Sequence, residues 1–387
     1  MDIIALDKEY VAPTYGRFPV ELVSGKGCLL QGADGKEYID LTSGIGVTVF
    51  GIADEQWMAA VTAQLGTLQH VSNLYYTSPC AKLAQLLCEK TGMAKVFFCN
   101  SGAEANECLI KVARKYAAEK KGAEYSTIIT LKNSFHGRTL TTLSATGQEH
   151  YHELFQPLTP GFAHGEAGDL EGIKQLAKAE KAAAILIECV QGEGGVIAME
   201  QDFVKGLAQF CKEEDILFMV DEVQTGNGRT GQLYAYMNYG VQPDAFSTAK
   251  GLGGGLPLGA ALMSEKVQSV LGFGDHGSTF GGNPVCCAGA LSILQRIDDA
   301  LLAEVKKKGE YIRQQLEGAK GIKGISGMGL MVGIQTEKPA GQLVKALVEK
   351  GVLCLTAKDK VRLLPALNIP MDVLAKAIDA IKEVCAE

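Results

Sequence analysis

No two of the eleven cysteines in this 387-residue chain are spaced Cys-x-x-Cys. That gap excludes zinc-ribbon and thioredoxin-type arrangements, and the six histidines show no zinc-ligand spacing either. No metal is expected. Cys99, Cys108, Cys189, Cys211 and Cys354 fall inside apolar or helical patterns, which reads as buried reduced thiols. Long hydrophobic runs are missing too, since no stretch reaches the roughly 18 apolar residues of a membrane span. Nor is there an excess of positive charge. The formal net charge is -7 with no basic stripe, which argues against nucleic acid and membrane surfaces as partners. The opening residues Met1-Asp2-Ile3-Ile4-Ala5-Leu6-Asp7-Lys8-Glu9 carry acids where a secretory signal carries lysines, so a cytoplasmic location is expected.

What is present is a globular pattern, 47% hydrophobic and longer than one core usually grows, so two or three domains are expected. Short apolar runs at 95–99, 127–131, 183–187, 216–220, 245–247 and 260–263 alternate with amphipathic helices. Continuous apolar strands separated by helices predict an α/β fold with a mostly parallel central sheet covered on both faces. Ligands in such sheets bind beyond the carboxyl ends of the strands. Residues 27–40 read instead as a hairpin around Asp34-Gly35. After Asn283 come long charged helices, then Met331-Val332-Gly333-Ile334 and a terminal helix. The expected division is a large cofactor domain over 51–283 and a smaller α+β domain assembled from 1–50 and 284–387.

Lys250 stands alone between an apolar run and the glycines of Gly251-Leu252-Gly253-Gly254-Gly255, with no charged neighbour from Ala245 to Leu262. A charge in such a stretch is costly unless it reacts or pairs. Twenty-nine residues earlier, Ile216-Leu217-Phe218-Met219-Val220 ends in Asp221-Glu222. An acid closing a buried strand and a lysine in a glycine turn suit pyridoxal phosphate: the lysine holds the aldehyde as a Schiff base, and the acid keeps the ring nitrogen protonated.

The remaining motifs allow plainer readings beside functional ones. Ser101 and Glu104 have capping-box spacing, and the same helix start could cradle a phosphate with its free amides. Gly226-Asn227-Gly228-Arg229-Thr230-Gly231 matches a dinucleotide fingerprint, yet five residues separate it from Val220, so it is a decoy. In Phe135-His136-Gly137-Arg138-Thr139 the aromatic could stack on a cofactor ring and the arginine could fork a carboxylate, or they are a core phenylalanine and a surface arginine. His136 reads as a structural histidine or a secondary cofactor contact more readily than as a base. Glu188-Cys189-Val190-Gln191-Gly192-Glu193-Gly194-Gly195 again puts acids and glycines at a strand end.

Taken in order, residues 101–107, 135–139, 191–195 and 221–226, Lys250, and Gly277-Ser278-Thr279-Phe280-Gly281-Gly282-Asn283-Pro284 closely resemble the class III aminotransferases, and within them the branch acting on N2-acetylornithine. The likeness runs over nearly the whole chain. It implies a fold-type I, pyridoxal phosphate-dependent homodimer. Carried over, it makes Lys250 the residue joined to the cofactor and Asp221 the partner of its ring nitrogen. Phe135 and Val223 would flank the ring, Gln224 would lie near its hydroxyl, and Ser101, Gly102, Ala103 and Glu222 would complete the cofactor set. Thr279 would reach the partner subunit's phosphate. Arg138, with Ser278, would hold the substrate carboxylate. Arg362 would take the second carboxylate of 2-oxoglutarate, masked by Glu193 in the half-reaction that needs only one. Two departures stand out: Ile52-Ala53-Asp54-Glu55 replaces a usual His-Pro, and Cys189 replaces a usual proline.

Substrate choice turns on the loop Ser43-Gly44-Ile45-Gly46-Val47. The resembling ornithine enzymes have a tyrosine around Ile45 that can bond a free α-amine, whereas an aliphatic residue suits an acylated nitrogen, or is merely packing. The expected substrates are N2-acetylornithine and 2-oxoglutarate or glutamate. Ornithine, 4-aminobutyrate or N-succinyl-diaminopimelate remain alternatives, with a NAD-binding dehydrogenase or a non-catalytic ligand-binding protein more remote.

Overall fold

A computed structural model of the protein describes residues 2–387. Its centre is a seven-stranded sheet built, in chain order, from β1 (Lys95–Cys99), β2 (Thr127–Leu131), β3 (Phe162–Gly165), β4 (Ala182–Ile187), β5 (Leu217–Asp221), β6 (Ala245–Thr248) and β7 (Gly259–Met263), lying side by side as β1-β7-β6-β5-β4-β2-β3. Strands β3, β2, β4, β5 and β6 run parallel; β7 is antiparallel to both its neighbours. The short, partly exposed β3 is the one strand the apolar pattern does not signal.

Both faces are buried, as the unbroken apolar strands require. Leu217 and Met219 of β5 pack with Ala184 and Leu186 of β4 under the helix Gly102–Lys120. Phe218 and Val220 point the other way with Ile185 and Ile187, toward Phe203, Val204 and Leu207 of Gln201–Glu213. This period of two leaves only the strand ends for chemistry.

The chain termini build two further sheets. The hairpin around Asp34-Gly35 forms as expected, with Leu29–Gly32 antiparallel to Glu37–Asp40, and Val352–Leu353 adds to it in parallel, so the two ends of the chain meet. Ile322–Met328, Met331–Thr336, Lys360–Leu363 and Leu355–Ala357 make an antiparallel sheet. The helix Pro284–Leu294 packs on the helices Glu55–Leu65 and Ser78–Thr91.

The decoy fingerprint has a structural use. Arg229, 1% exposed, donates from Nη1 to the carbonyls of Leu330 (3.2 Å) and Pro365. It ties the turn after β5 to the C-terminal sheet rather than meeting a phosphate. Burial pulls its pKa down to about 9, with Asp40 opposing.

The departure at Asp54 is likewise accounted for. Asp54 caps the helix Glu55–Leu65 by accepting the Trp57 N–H (2.9 Å) and takes a fork from Arg296 (2.8 and 2.9 Å), whose guanidinium lies 4.0 Å over Phe50. Burial alone would raise this carboxyl's pKa, but the hydrogen bonds from Arg296 and Trp57 outweigh it and hold the pKa below its usual value. Asp54→Ala removes a cap and leaves Arg296 half-buried and unpaired, so unfolding should show a loss of about 2–3 kcal/mol at neutral pH. Because the folded pKa is depressed, that difference should be full above about pH 4 and fade as pH falls through the folded value. A pH series of denaturant melts measures both.

Candidate active site

At the carboxyl ends of the parallel strands lies a cavity of about 510 Å³. Its wall contains Ser101, Gly102 and Ala103 after β1, Phe135 and Arg138 after β2, Asp221 at the end of β5 with Val223 and Gln224 after it, and Lys250 after β6. The switch point of the sheet thus gathers motifs spread over some 150 residues, and only close chain approach makes this possible. A Cβ at residue 102 would stand 2.6 Å from the Val223 side chain. At Gly137 (φ +139°) it would meet Thr142 Oγ1 at 2.5 Å and Ala103 at 2.9 Å. Glycine is required at both.

Ser101 caps the 19-residue helix Gly102–Lys120 by accepting the Glu104 N–H (3.2 Å). The reciprocal half of the capping box is displaced: Glu104 takes the Asn100 N–H (2.6 Å) instead. The Gly102 and Ala103 N–H groups, ahead of any intrahelical acceptor, are left at the positive end of the helix dipole.

Asp221 is 4% exposed and held on every side. Oδ2 accepts from Asn106 Nδ2 (2.7 Å) and lies 2.9 Å from His136 Nδ1, while Oδ1 accepts the Val223 N–H (3.0 Å). Burial pushes the His136 pKa down, but hydrogen bonding and charge from Asp221, with Glu188 assisting, raise it above the usual value. Glu188 accepts the N–H groups of Phe135 (3.0 Å) and Gly192 (3.4 Å), and burial raises it to about 7.

Lys250 sits at φ +45° and forms no ion pair among the described residues. Burial lowers its pKa, with Glu193 and Asp221 opposing and Arg362 reinforcing. That favours the neutral amine a nucleophile needs. Asn227 steadies the approach to it, donating to Thr248 Oγ1 and the Ala249 carbonyl, each at 3.2 Å.

Beside the cavity, Arg362 (3% exposed) donates to Glu193 (2.6 Å) and to Gln224 Oε1 (3.1 Å). Burial works against the Glu193 carboxylate, but the charge and hydrogen bond of Arg362 prevail and lower its pKa.

Several expected residues stand elsewhere. Glu222 does not line the cavity: successive strand residues point to opposite faces, so it turns back to accept from Tyr236 N (2.8 Å) and Thr225 Oγ1 (2.5 Å), and burial raises it to about 7. Ile45 is 41% exposed in a left-handed turn, and Val47 takes the place at the cavity wall. Ser278 binds Asn100 (3.1 Å) outside the wall, and Thr279 lies exposed in its loop. Asn106 was not singled out from sequence, and Glu188 was noted only as one of the acids at a strand end. Asn106 carried a signal, as a polar residue one turn before Leu109 on the buried stripe of its helix.

Asp221→Asn replaces the acceptor that faces His136 with an amide. The imidazole titration followed by NMR should move to lower pH. With the folded pKa raised, the pair's stabilising contribution is full below about pH 6.5 and is lost as pH rises through the folded value, so the variant should be most destabilised on the acid side.

Comparison with known proteins agrees with this geometry. The family model for class-III aminotransferases matches residues 10–385. The acetylornithine aminotransferase of Haemophilus ducreyi is 47% identical over 99% of this chain and 98% of its own, and that of Methanocaldococcus jannaschii 44% identical over 99% and 98%. Among solved structures, the ornithine aminotransferase of Toxoplasma gondii, whose active site shows partial occupancy of PLP, superposes with a TM-score of 0.95 at 31% identity over 100% of this chain and 94% of that one. The acetylornithine aminotransferase of Elizabethkingia anophelis gives 0.88 at 32% identity, over 99% and 97%. Sheet, motif order and full-length similarity agree: the chain belongs to the class-III aminotransferases.

Proposed function

We propose that this protein is an acetylornithine 5-aminotransferase of arginine biosynthesis, moving the δ-amino group of N2-acetyl-L-ornithine to 2-oxoglutarate with pyridoxal phosphate. The observation that carries the reading is the pair of arginines in different states. Arg138 opens into the cavity with no carboxylate partner among the described residues, whereas Arg362 is buried against Glu193. One available cation suits a monocarboxylate amine donor, and a second, released from its mask, suits a dicarboxylate acceptor.

The residues present fit the cofactor. The free amides of Gly102 and Ala103 suit its phosphate, Phe135 and Val223 suit the ring faces, Asp221 suits the ring nitrogen, and the Lys250 amine suits the aldehyde. When bound, the group acts as an electron sink for the substrate carbon that bears the amine. Around that carbon the protein's part is positional and protolytic. Lys250 Nζ takes and returns the proton, Arg138 orients the carboxylate end, and the Asp221 charge, fixed by Asn106 and His136, favours a protonated ring nitrogen. Val47 at the cavity wall offers no polar partner to a free α-amine, which supports an acylated substrate.

We further propose a homodimer in which Thr279 completes the partner's phosphate site, with the small domain formed by 1–50 and 284–387 around 51–283. Exposed Leu74, Tyr75, Tyr76, Phe273 and Phe280 supply apolar surface for such an interface. No helix of the described residues is long and apolar enough to cross a membrane, in keeping with a cytoplasmic site of action.

Steady-state comparison should favour acetylornithine over ornithine in kcat/KM by at least about a hundredfold; equal rates would remove the acyl assignment. Lys250→Ala should lose the protein's visible absorbance above 400 nm and cut transamination by on the order of a thousandfold or more. In single-turnover assays Glu193→Ala should impair the acetylornithine half-reaction more, and Arg362→Ala the 2-oxoglutarate half. Equal losses in both halves would leave only a structural ion pair.

A further inference from the structure

Among the described residues, the Arg138 side chain is held by neither hydrogen bond nor ion pair. Its guanidinium carbon lies 4.8 Å from the ring centroid of Tyr151 and 5.6 Å from that of Phe135. The two rings meet edge to face, centroids 5.9 Å apart and planes at 69°. A cation stacked on aromatic faces keeps all its N–H donors free, whereas one fixed by a carboxylate does not. Tyr151 is itself well anchored. It ends the short turn Glu149–Tyr151, and the segment before it is pinned to the end of β2: Asn133 N donates to Gly147 O (2.7 Å), Gly147 N to Ser134 Oγ (3.0 Å) and Gln148 Nε2 to Ser134 O (2.9 Å). The next residue, His152, bonds the Leu143 carbonyl through Nε2 (2.8 Å), and the His150 ring packs 3.9 Å from Tyr151. Tyr151 also walls a second, polar cavity of about 1060 Å³ whose other residues include Lys132, His164, Glu193 and Lys358. It therefore stands between the Arg138 site and a space large enough for the guanidinium to swing into.

We propose that Tyr151 is a positioning and specificity-determining residue. Its ring face fixes the Arg138 guanidinium at a set distance from Lys250 and so sets the amine-to-carboxylate length that the site accepts. This rests on the reading of Arg138 as the carboxylate fork. The ring, not the hydroxyl, carries the effect, because the Tyr151 contacts to Arg138 and Phe135 are made by the ring. With an aliphatic residue in its place Arg138 keeps its charge and loses its register.

The test compares Tyr151→Leu and Tyr151→Phe in the cofactor-loaded enzyme, using N2-acetylornithine and analogues one methylene shorter and longer. Tyr151→Leu should raise KM about tenfold with kcat little changed. It should also shrink a length preference of roughly tenfold or more per methylene to about threefold or less. Tyr151→Phe should keep both near the parent values. Calorimetric binding of glutarate, an unreactive dicarboxylate, should weaken in parallel for Tyr151→Leu alone. Unchanged length preference in Tyr151→Leu, or equal damage in both variants, overturns the proposal. Arg138→Ala separates the two levels: if it binds carboxylates normally the fork reading itself fails, and if it binds poorly while Tyr151→Leu matches the parent only the Tyr151 role falls. Should Tyr151→Leu not fold, Tyr151→His replaces it, with a cationic ring at low pH that repels Arg138. Its KM relative to Tyr151→Phe should rise about tenfold between pH 8 and pH 5.5, and a pH-independent ratio overturns the proposal.

Discussion

Burying the Asp221 carboxylate is the constraint around which the rest is arranged. A charge at the end of a fully covered strand is tolerable only if its surroundings answer it, and four separate segments do so. Asn106 comes from the helix after β1, His136 from the loop after β2, Ser247 from β6, and Val223 from the turn that follows Asp221 itself. Each of those segments also carries a wall residue of the cavity. Satisfying one buried anion therefore sets the relative positions of the helix start at Gly102, the loop after β2 and the lysine turn.

The same economy governs the cations, which are treated in three ways. Arg229 is spent on carbonyl groups of the C-terminal sheet and is purely architectural. Arg362 is reserved behind Glu193 and Gln224, where leaving the pair would demand a replacement anion. Arg138 is restrained, among the described residues, by aromatic faces. Under the proposed function, a site that accepts first one carboxylate and then two would use this graded availability, since a permanently bare second guanidinium would attract the wrong end of the smaller anion.

The sheet, the hairpin, the helix after Ser101 and the meeting of Lys250 and Asp221 at strand ends were legible in the residues themselves. Continuous apolar runs specify covered strands by local patterning, and an isolated charge beside glycines is improbable on packing grounds alone. The motif order was enough to identify the family. Pairwise geometry was not legible. That Glu222 turns away while Asp221 faces the cavity follows from strand alternation, but which of the two faces the ligand depends on what covers each side of the sheet. Val47 rather than Ile45 meets the cavity because the chain makes a left-handed turn through Ser43–Gly46, a conformation that local propensity disfavours. Asn106, Glu188 and Tyr151 act through partners 30 to 115, 53 and 13 to 16 residues away. Sequence by itself determined the periodicities, and through them the elements, because those are encoded within a few residues of each position. Tertiary structure alone decided which charges are paired, masked or free, because pairing depends on approach between segments that the chain brings together only when the core is closed.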